Sequence, residues 1–195
     1  QLQDPNFMRT VVLLLKSTDA GAFGLVINRE AEVGVNELCE QQDIPYQGAG
    51  NQRVMIGGPV EQEQHLLVLH GEEALYPPAA EQEMVITPEI RLVTALEGLR
   101  MLAGQNDARF RCYLGYAGWG PEQLQGELSQ GAWVPLACDA QYLFDVPPDR
   151  VWGKALRRKA PTRRNIRSLS RSAARALAPI RTPTTLSSRR CRAHS

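Results

Sequence analysis

The longest uninterrupted aliphatic run in this sequence, Val11–Leu15, is five residues. A run of that length suits a buried strand and is far too short to span a bilayer, which takes about 20 apolar residues in a helix. Similar runs rich in β-branched residues predict strands over residues 10–15, 23–28, 53–56, 66–70, 84–86 and 110–114. Most are continuous rather than alternating, which points to strands covered on both faces. Between them the sequence predicts helices. The clearest covers residues 88–103, with Thr87 as cap, Pro88 at its first position, and Leu92, Leu96, Leu99 and Ala103 as its apolar stripe. Others are read over 35–41, from Pro121 to Gly131, and around 149–156, where Val151, Trp152, Ala155 and Leu156 turn inward. Strands grouped ahead of the main helix, with hairpin-like links, favour an α+β class over a βαβ repeat.

Charge divides the chain. Residues 157–195 hold 12 Lys and Arg with no Asp or Glu, which leaves 10 basic and all 21 acidic residues in 1–156, a net of −11. An acidic body of that size repels polyanions, so contact with nucleic acid is assigned to the Arg-rich stretch alone. That stretch is also rich in Ser, Ala, Pro and Thr, a composition that does not support a packed core. It reads in three ways: a disordered tail, the product of a shifted reading frame, or a basic helix with Arg163, Arg167, Arg171 and Arg175 on one face. Residues 1–156 are accordingly taken as the domain and 157–195 as its appendage.

The residues with chemical potential are few. Four scattered cysteines without a C-x-x-C pair fit a reducing compartment, and only His65, His70 and His194 could join them at a metal, so neither metal nor cofactor is expected. No nucleophile elbow, zincin motif or paired carboxylate marks a catalytic centre. His70, closing a strand, is either a base near the Gly57-Gly58-Pro59-Val60 loop or a histidine hydrogen-bonded at the core edge. Asn28 and Arg29 together either recognise a carboxylate or phosphate, or cap a turn. The segment LGYAGWGPEQLQGEL, residues 114–128, is read as a strand-to-helix connection. Its G-x-x-G-x-G spacing is not that of a dinucleotide fold, and Pro121 removes a donor that a phosphate would use. Tyr116 and Trp119 either anchor this loop by packing or line a ligand site.

Taken in order, QLQDPNF (1–7), GAFGLVINR (21–29), GGPV (57–60), LLVLH (66–70), GYAGWGPEQLQGEL (115–128) and GAW (131–133) resemble the signature of the YqgE/AlgH family over roughly residues 1–156. The resemblance implies a compact α+β domain with a mixed, strongly curved, barrel-like sheet flanked by helices, in the bacterial cytoplasm. It implies no catalytic residue. Some members are described as transcriptional regulators, which makes a non-enzymatic binding or regulatory domain the leading expectation. The alternative is an enzyme or sensor for a small anionic metabolite. The ligand-binding candidates are Asn28, Arg29, Gly57, Gly58, His70, Tyr116 and Trp119, with a small anion or a protein as partner.

Overall fold

The computed structural model describes residues 5–62, 65–74, 83–94, 96–157 and 175–179. After a 3-10 turn at Pro5–Phe7, the chain builds β1 (Val12–Thr18), β2 (Gly21–Val26), β3 (Glu30–Gly34), α1 (Val35–Gln41), β4 (Arg53–Ile56), β5 (Leu66–His70), β6 (Glu83–Thr87) and β7 (Ile90–Thr94). Next come α2 (Leu96–Ala103), β8 (Phe110–Leu114), β9 (Ala117–Trp119), α3 (Gln123–Ser129), β10 (Trp133–Ala137), α4 (Gln141–Phe144), α5 (Pro148–Arg157) and β11 (Arg175–Pro179). The class is α+β. The strands form two sheets, a five-stranded one in the order β10-β11-β1-β2-β9 and a six-stranded one in the order β3-β4-β8-β5-β7-β6. Among the described residues, β4 and β8 are the pair that runs parallel, and the other strand pairs are antiparallel. No helix among the described residues is long and apolar enough to cross a membrane.

Three apolar clusters hold the layers together. Leu13 and Leu25 of the first sheet meet Met55, Leu67, Leu69, Leu92 and Tyr113 of the second, with Tyr142, Leu143, Val151 and Ala155 of α4 and α5 closing the same core. The opposite face of the first sheet buries Val12, Val26 and Leu177 under Leu124 and Leu128 of α3. The opposite face of the second buries Val54, Val68, Val93 and Cys112 under Val35 and Cys39 of α1 and Leu99 and Leu102 of α2. Thus Val12 and Leu13, neighbours in the sequence, are both buried but in different cores. This is the two-faced burial that continuous apolar runs predict.

The sheets meet at a corner instead of closing into one barrel. The chain leaves β2 at Val26 and enters β3 at Glu30, so Ile27–Arg29 carries it from one sheet into the other. Gly115 and Tyr116 carry it back, from β8 into β9.

Three expectations are corrected. Residues 88–103 are not one helix. Pro88 and Glu89 make the turn of a β6–β7 hairpin, Ile90–Thr94 is a strand, and only Leu96–Ala103 is helical. Ile90 and Leu92 are buried at period two, and Pro88 suits the first corner of a turn as well as the first turn of a helix. Leu96, placed on the apolar stripe, is 40% exposed. The Gly115–Gly120 loop is not a bare connection, because β9 lies inside it and pairs with β2. Finally, Arg175–Pro179, read as part of a tail outside the domain, forms a strand between β1 and β10 with Ala176, Leu177 and Ala178 buried. Small and apolar at the positions facing the core, it fits the space between two strands despite the basic composition around it. The rest of the Arg-rich stretch lies outside the described residues.

Among the described residues, the Tyr113 hydroxyl is a buried group that runs against stability. It is fully enclosed and has no hydrogen-bond partner among the described residues. Tyr113→Phe removes a desolvated donor without changing the ring, and it should stabilise the protein by about 1 kcal/mol. A urea midpoint that moves up at constant slope is the expected result; a lower midpoint would reveal an acceptor for that hydroxyl.

Candidate functional site

The sheet corner gathers most of the candidates, and backbone geometry explains why. Gly57 and Gly58 follow β4 and pass against Gly115 and Tyr116 at main-chain contact distance. The Val26 N–H donates to the Gly57 carbonyl at 2.7 Å, and the Gly57 N–H donates to the Leu114 carbonyl at 2.8 Å. Val60 and Tyr116 then exchange two hydrogen bonds of 3.0 Å each. A side chain at Gly57 would strike the Gly115 carbonyl oxygen, and one at Gly58 the Tyr116 carbonyl group. Gly115 itself has φ +69°, a conformation that L side chains rarely adopt. The glycines are there because two chain segments cross.

Asn28 is a bracket within the same corner. Its Nδ2 donates to the Arg9 carbonyl at 2.9 Å, and its Oδ1 accepts from the Val11 N–H at 2.7 Å. Both ends of the amide thus fix the chain that leads into β1. Arg29 is half-buried, and its carbonyl accepts from the Ile56 N–H at 2.8 Å. Its side chain borders a shallow recess shared with Asn6, Val26, Ile56, Gly58, Pro59 and Gln62. With about 10 Å³ of free room, the recess has space for roughly one water molecule. Gln62, which the sequence offers no reason to single out, donates its side-chain amide to the Gly58 carbonyl at 2.8 Å.

The two aromatics part company. Tyr116 is half-buried at the corner, edge-on to Phe23 at 5.8 Å and to His65 at 6.1 Å. Trp119 is only 6% exposed and belongs to the core under α3. It stacks on Phe7 at 6.2 Å and meets Trp133 edge-on at 6.0 Å. Glu127 of α3 accepts both indole N–H groups, from Trp119 at 3.1 Å and from Trp133 at 2.7 Å. One carboxylate therefore satisfies two large buried donors, and Trp119 fills interior space instead of lining a cleft. The sequence did hold a signal for Glu127: it follows Gln123 by one helical turn, and Gln123 in turn donates to it at 3.0 Å.

His70 stands apart. It pairs with Phe110 at the start of β8, whereas Gly115 and Tyr116 follow the end of that strand. Five residue steps along the strand separate Phe110 from Gly115, about 16 Å. The ring is fully buried and lies 3.3 Å from Glu83. No group of three or more His, Cys, Asp or Glu among the described residues has a metal-binding arrangement. The thiols are held neutral: burial raises Cys39 and Cys112 above the ordinary range and pushes Cys138 up to about 12. Their sulfurs are thus poor nucleophiles at neutral pH.

A family model described as AlgH-like matches residues 1–163. A UPF0301 protein of Myxococcus xanthus is 37% identical over 158 residues, covering 80% of this chain and 84% of its own. Among solved structures, the AlgH protein of Pseudomonas aeruginosa superposes with a TM-score of 0.67 at 32% identity, covering 83% of this chain and 84% of the other. A Corynebacterium diphtheriae protein shares the fold at 21% identity, with a TM-score of 0.62 and 83% of each chain covered.

Proposed function

The chain belongs to the AlgH-like family, and from that premise we propose that it is a non-enzymatic binding or regulatory protein of the cytoplasm that acts through its outer surface. The observation that carries this reading is the use to which the corner residues are put. Gly57 and Gly58 accommodate a chain crossing, Asn28 brackets β1, and Trp119 is anchored to Glu127. The recess beside Arg29 is far below the several hundred Å³ that a small-molecule site occupies. Regulation would then run through a protein partner, since a body with a net charge of −11 repels DNA.

The test is a panel of nucleotides, phosphates and carboxylates scanned by thermal shift and by turnover with the full chain. No saturable shift and no turnover is the expected outcome. Saturable binding or turnover that disappears in Arg29→Ala would replace this reading with that of a small-anion enzyme or sensor. A second reading, nucleic-acid binding, is favoured by the charge split alone. It predicts salt-sensitive DNA binding that weakens when Arg163, Arg164, Arg167 and Arg171 are changed to Gln in the full chain.

A further inference from the structure

Among the described residues the two sheets end in four edge strands, β3 and β6 on one and β9 and β10 on the other. An edge strand exposes unpaired backbone N–H and C=O groups, and soluble proteins blunt such edges. Three of the four are blunted. β3 carries the exposed Glu30 and Glu32, and its register with β4 is irregular. β9 is three residues long, and the Tyr116 backbone that leads into it is already bonded to Val60. β10 contains Pro135, which has no N–H and interrupts a ladder. β6 is the exception. It holds no proline, glycine or lysine, and its Met84 and Val85 are 42% and 60% exposed. These two side chains point to opposite faces, Met84 standing in register with Leu92 and Val85 with Arg91. Apolar groups thus flank this edge on both sides of the sheet.

We propose that β6 pairs antiparallel with β6 of a second copy of this chain, centred on Val85, so that two six-stranded sheets become one. A two-fold axis at Val85 sets that residue against its own counterpart and Met84 against Ile86 of the second copy. Ile86 packs on the core that holds Leu92, so Met84 and Ile86 share a face and meet without a charge between them. Neighbouring registers are worse. Centred on Ile86, the pairing would set Met84 against Pro88, which cannot donate to a ladder. Centred on Met84, it would set the Glu83 carboxylate against Val85.

Charge suits a second copy as the occupant. The net charge of +1 on the whole chain gives two copies no net repulsion to overcome. At the edge itself, Glu83 and Arg91 already pair with each other at 3.1 Å. In the Val85 register the two Glu83 positions stand four residues apart along the ladder, about 13 Å, so the carboxylates do not oppose each other. Pairing uses up both β6 edges, which closes the assembly at two copies instead of extending it into a filament. Its strength is limited by size. A bulge between Val85 and Thr87 restricts how far a regular ladder can run. One short strand per copy falls below the ~1,200 Å² of stable interfaces, so the dimer is a weak one formed at high concentration.

The test uses the full chain. Sedimentation equilibrium from about 10 μM to about 1 mM should show a reversible monomer–dimer equilibrium. Val85→Lys sets like charges directly opposite on the two-fold axis and should weaken the dimer by at least about tenfold. Glu32→Lys, on the β3 edge, should leave it unchanged. Both positions are exposed, so melting temperatures close to that of the unmodified chain separate lost pairing from lost folding. Crosslinking gives a second measurement. Residues opposite each other in an antiparallel pair have Cα atoms about 4.5–5.5 Å apart, within disulfide range. In Val85→Cys, oxidised glutathione should therefore take up the hydrogens of two thiols and leave a disulfide-linked dimer, with glutathione reduced. Glu32→Cys should crosslink no more than the unmodified chain. A chain that stays monomeric at about 1 mM overturns the proposal and leaves this edge to a strand from another protein. So does a dimer that Val85→Lys does not weaken, or crosslinking at position 85 no greater than at position 32.

Discussion

A chain ended at Arg157 will lose its cooperative unfolding transition. β11 lies between β1 and β10, pairing with three residues of the first and five of the second. Because it is antiparallel to both, β10 and β1 run parallel to each other. Without it they stand about 9.6 Å apart, two strand spacings, and closing the gap would need a parallel pairing with a new hydrogen-bond pattern. Trp133 of β10 is 2% exposed and tied to Glu127, which holds β10 in place. The truncated chain thus leaves two strands with unpaired inner edges and opens the cores beneath Ala176, Leu177 and Ala178. Leu177 alone, 1% exposed, accounts for about 2 kcal/mol of burial. Lost ladder bonds and exposed core add to that against a total stability of about 5–15 kcal/mol. Leu177→Asp in the full chain places a carboxylate in the same core and should cost about 4 kcal/mol or more. Circular dichroism melts of both proteins check the expectation. A truncated chain that melts cooperatively near the full-length temperature would remove β11 from the sheet.

That strand also marks the limit of what the sequence made legible. β1, β4, β5 and β8 were readable because each is an apolar run buried by neighbours on the second sheet or on both sides. β11, with the sequence RALAP, contains one large apolar residue and sits among arginines; what makes it a strand is the gap it fills, a tertiary fact. β3, with the sequence EAEVG, is an edge strand whose glutamates face solvent, so its pattern is polar. β7 was hidden because Leu92, Leu96 and Leu99 satisfy a helical period that the chain does not use. The site divides in the same way. Gly57 and Gly58 were legible as a turn, but their crossing with Gly115 and Tyr116 joins segments 58 residues apart, which no local window contains. Asn28 was legible as a polar residue closing a strand; its reach back to Arg9 and Val11 was not.

The crossing carries the second large prediction, and it separates a structural corner from a binding loop. In Gly58→Ala the new methyl would fall on the Tyr116 carbonyl group and on the Ala117 nitrogen, which are backbone atoms and not flexible side-chain ends. The Tyr116 segment cannot withdraw without breaking its paired 3.0 Å bonds to Val60, nor the Gly57 segment without breaking its bonds to Val26 and Leu114. A loss of about 3 kcal/mol or more is expected, a fall in melting temperature of about 10 °C for a chain of this size. Gly115→Ala should be at least as costly, because its φ is +69° and the methyl would come within 2.7 Å of the Gly58 and Val60 carbonyl oxygens. Gly126 supplies the contrast. It lies inside α3 with nothing within 4 Å of an added methyl, so Gly126→Ala should gain about 0.5–1 kcal/mol. If Gly58→Ala instead melts with the unmodified protein, the crossing is looser than the geometry requires. The glycines would then need another reason, and close approach of a ligand's backbone or phosphate to this corner is the one that remains.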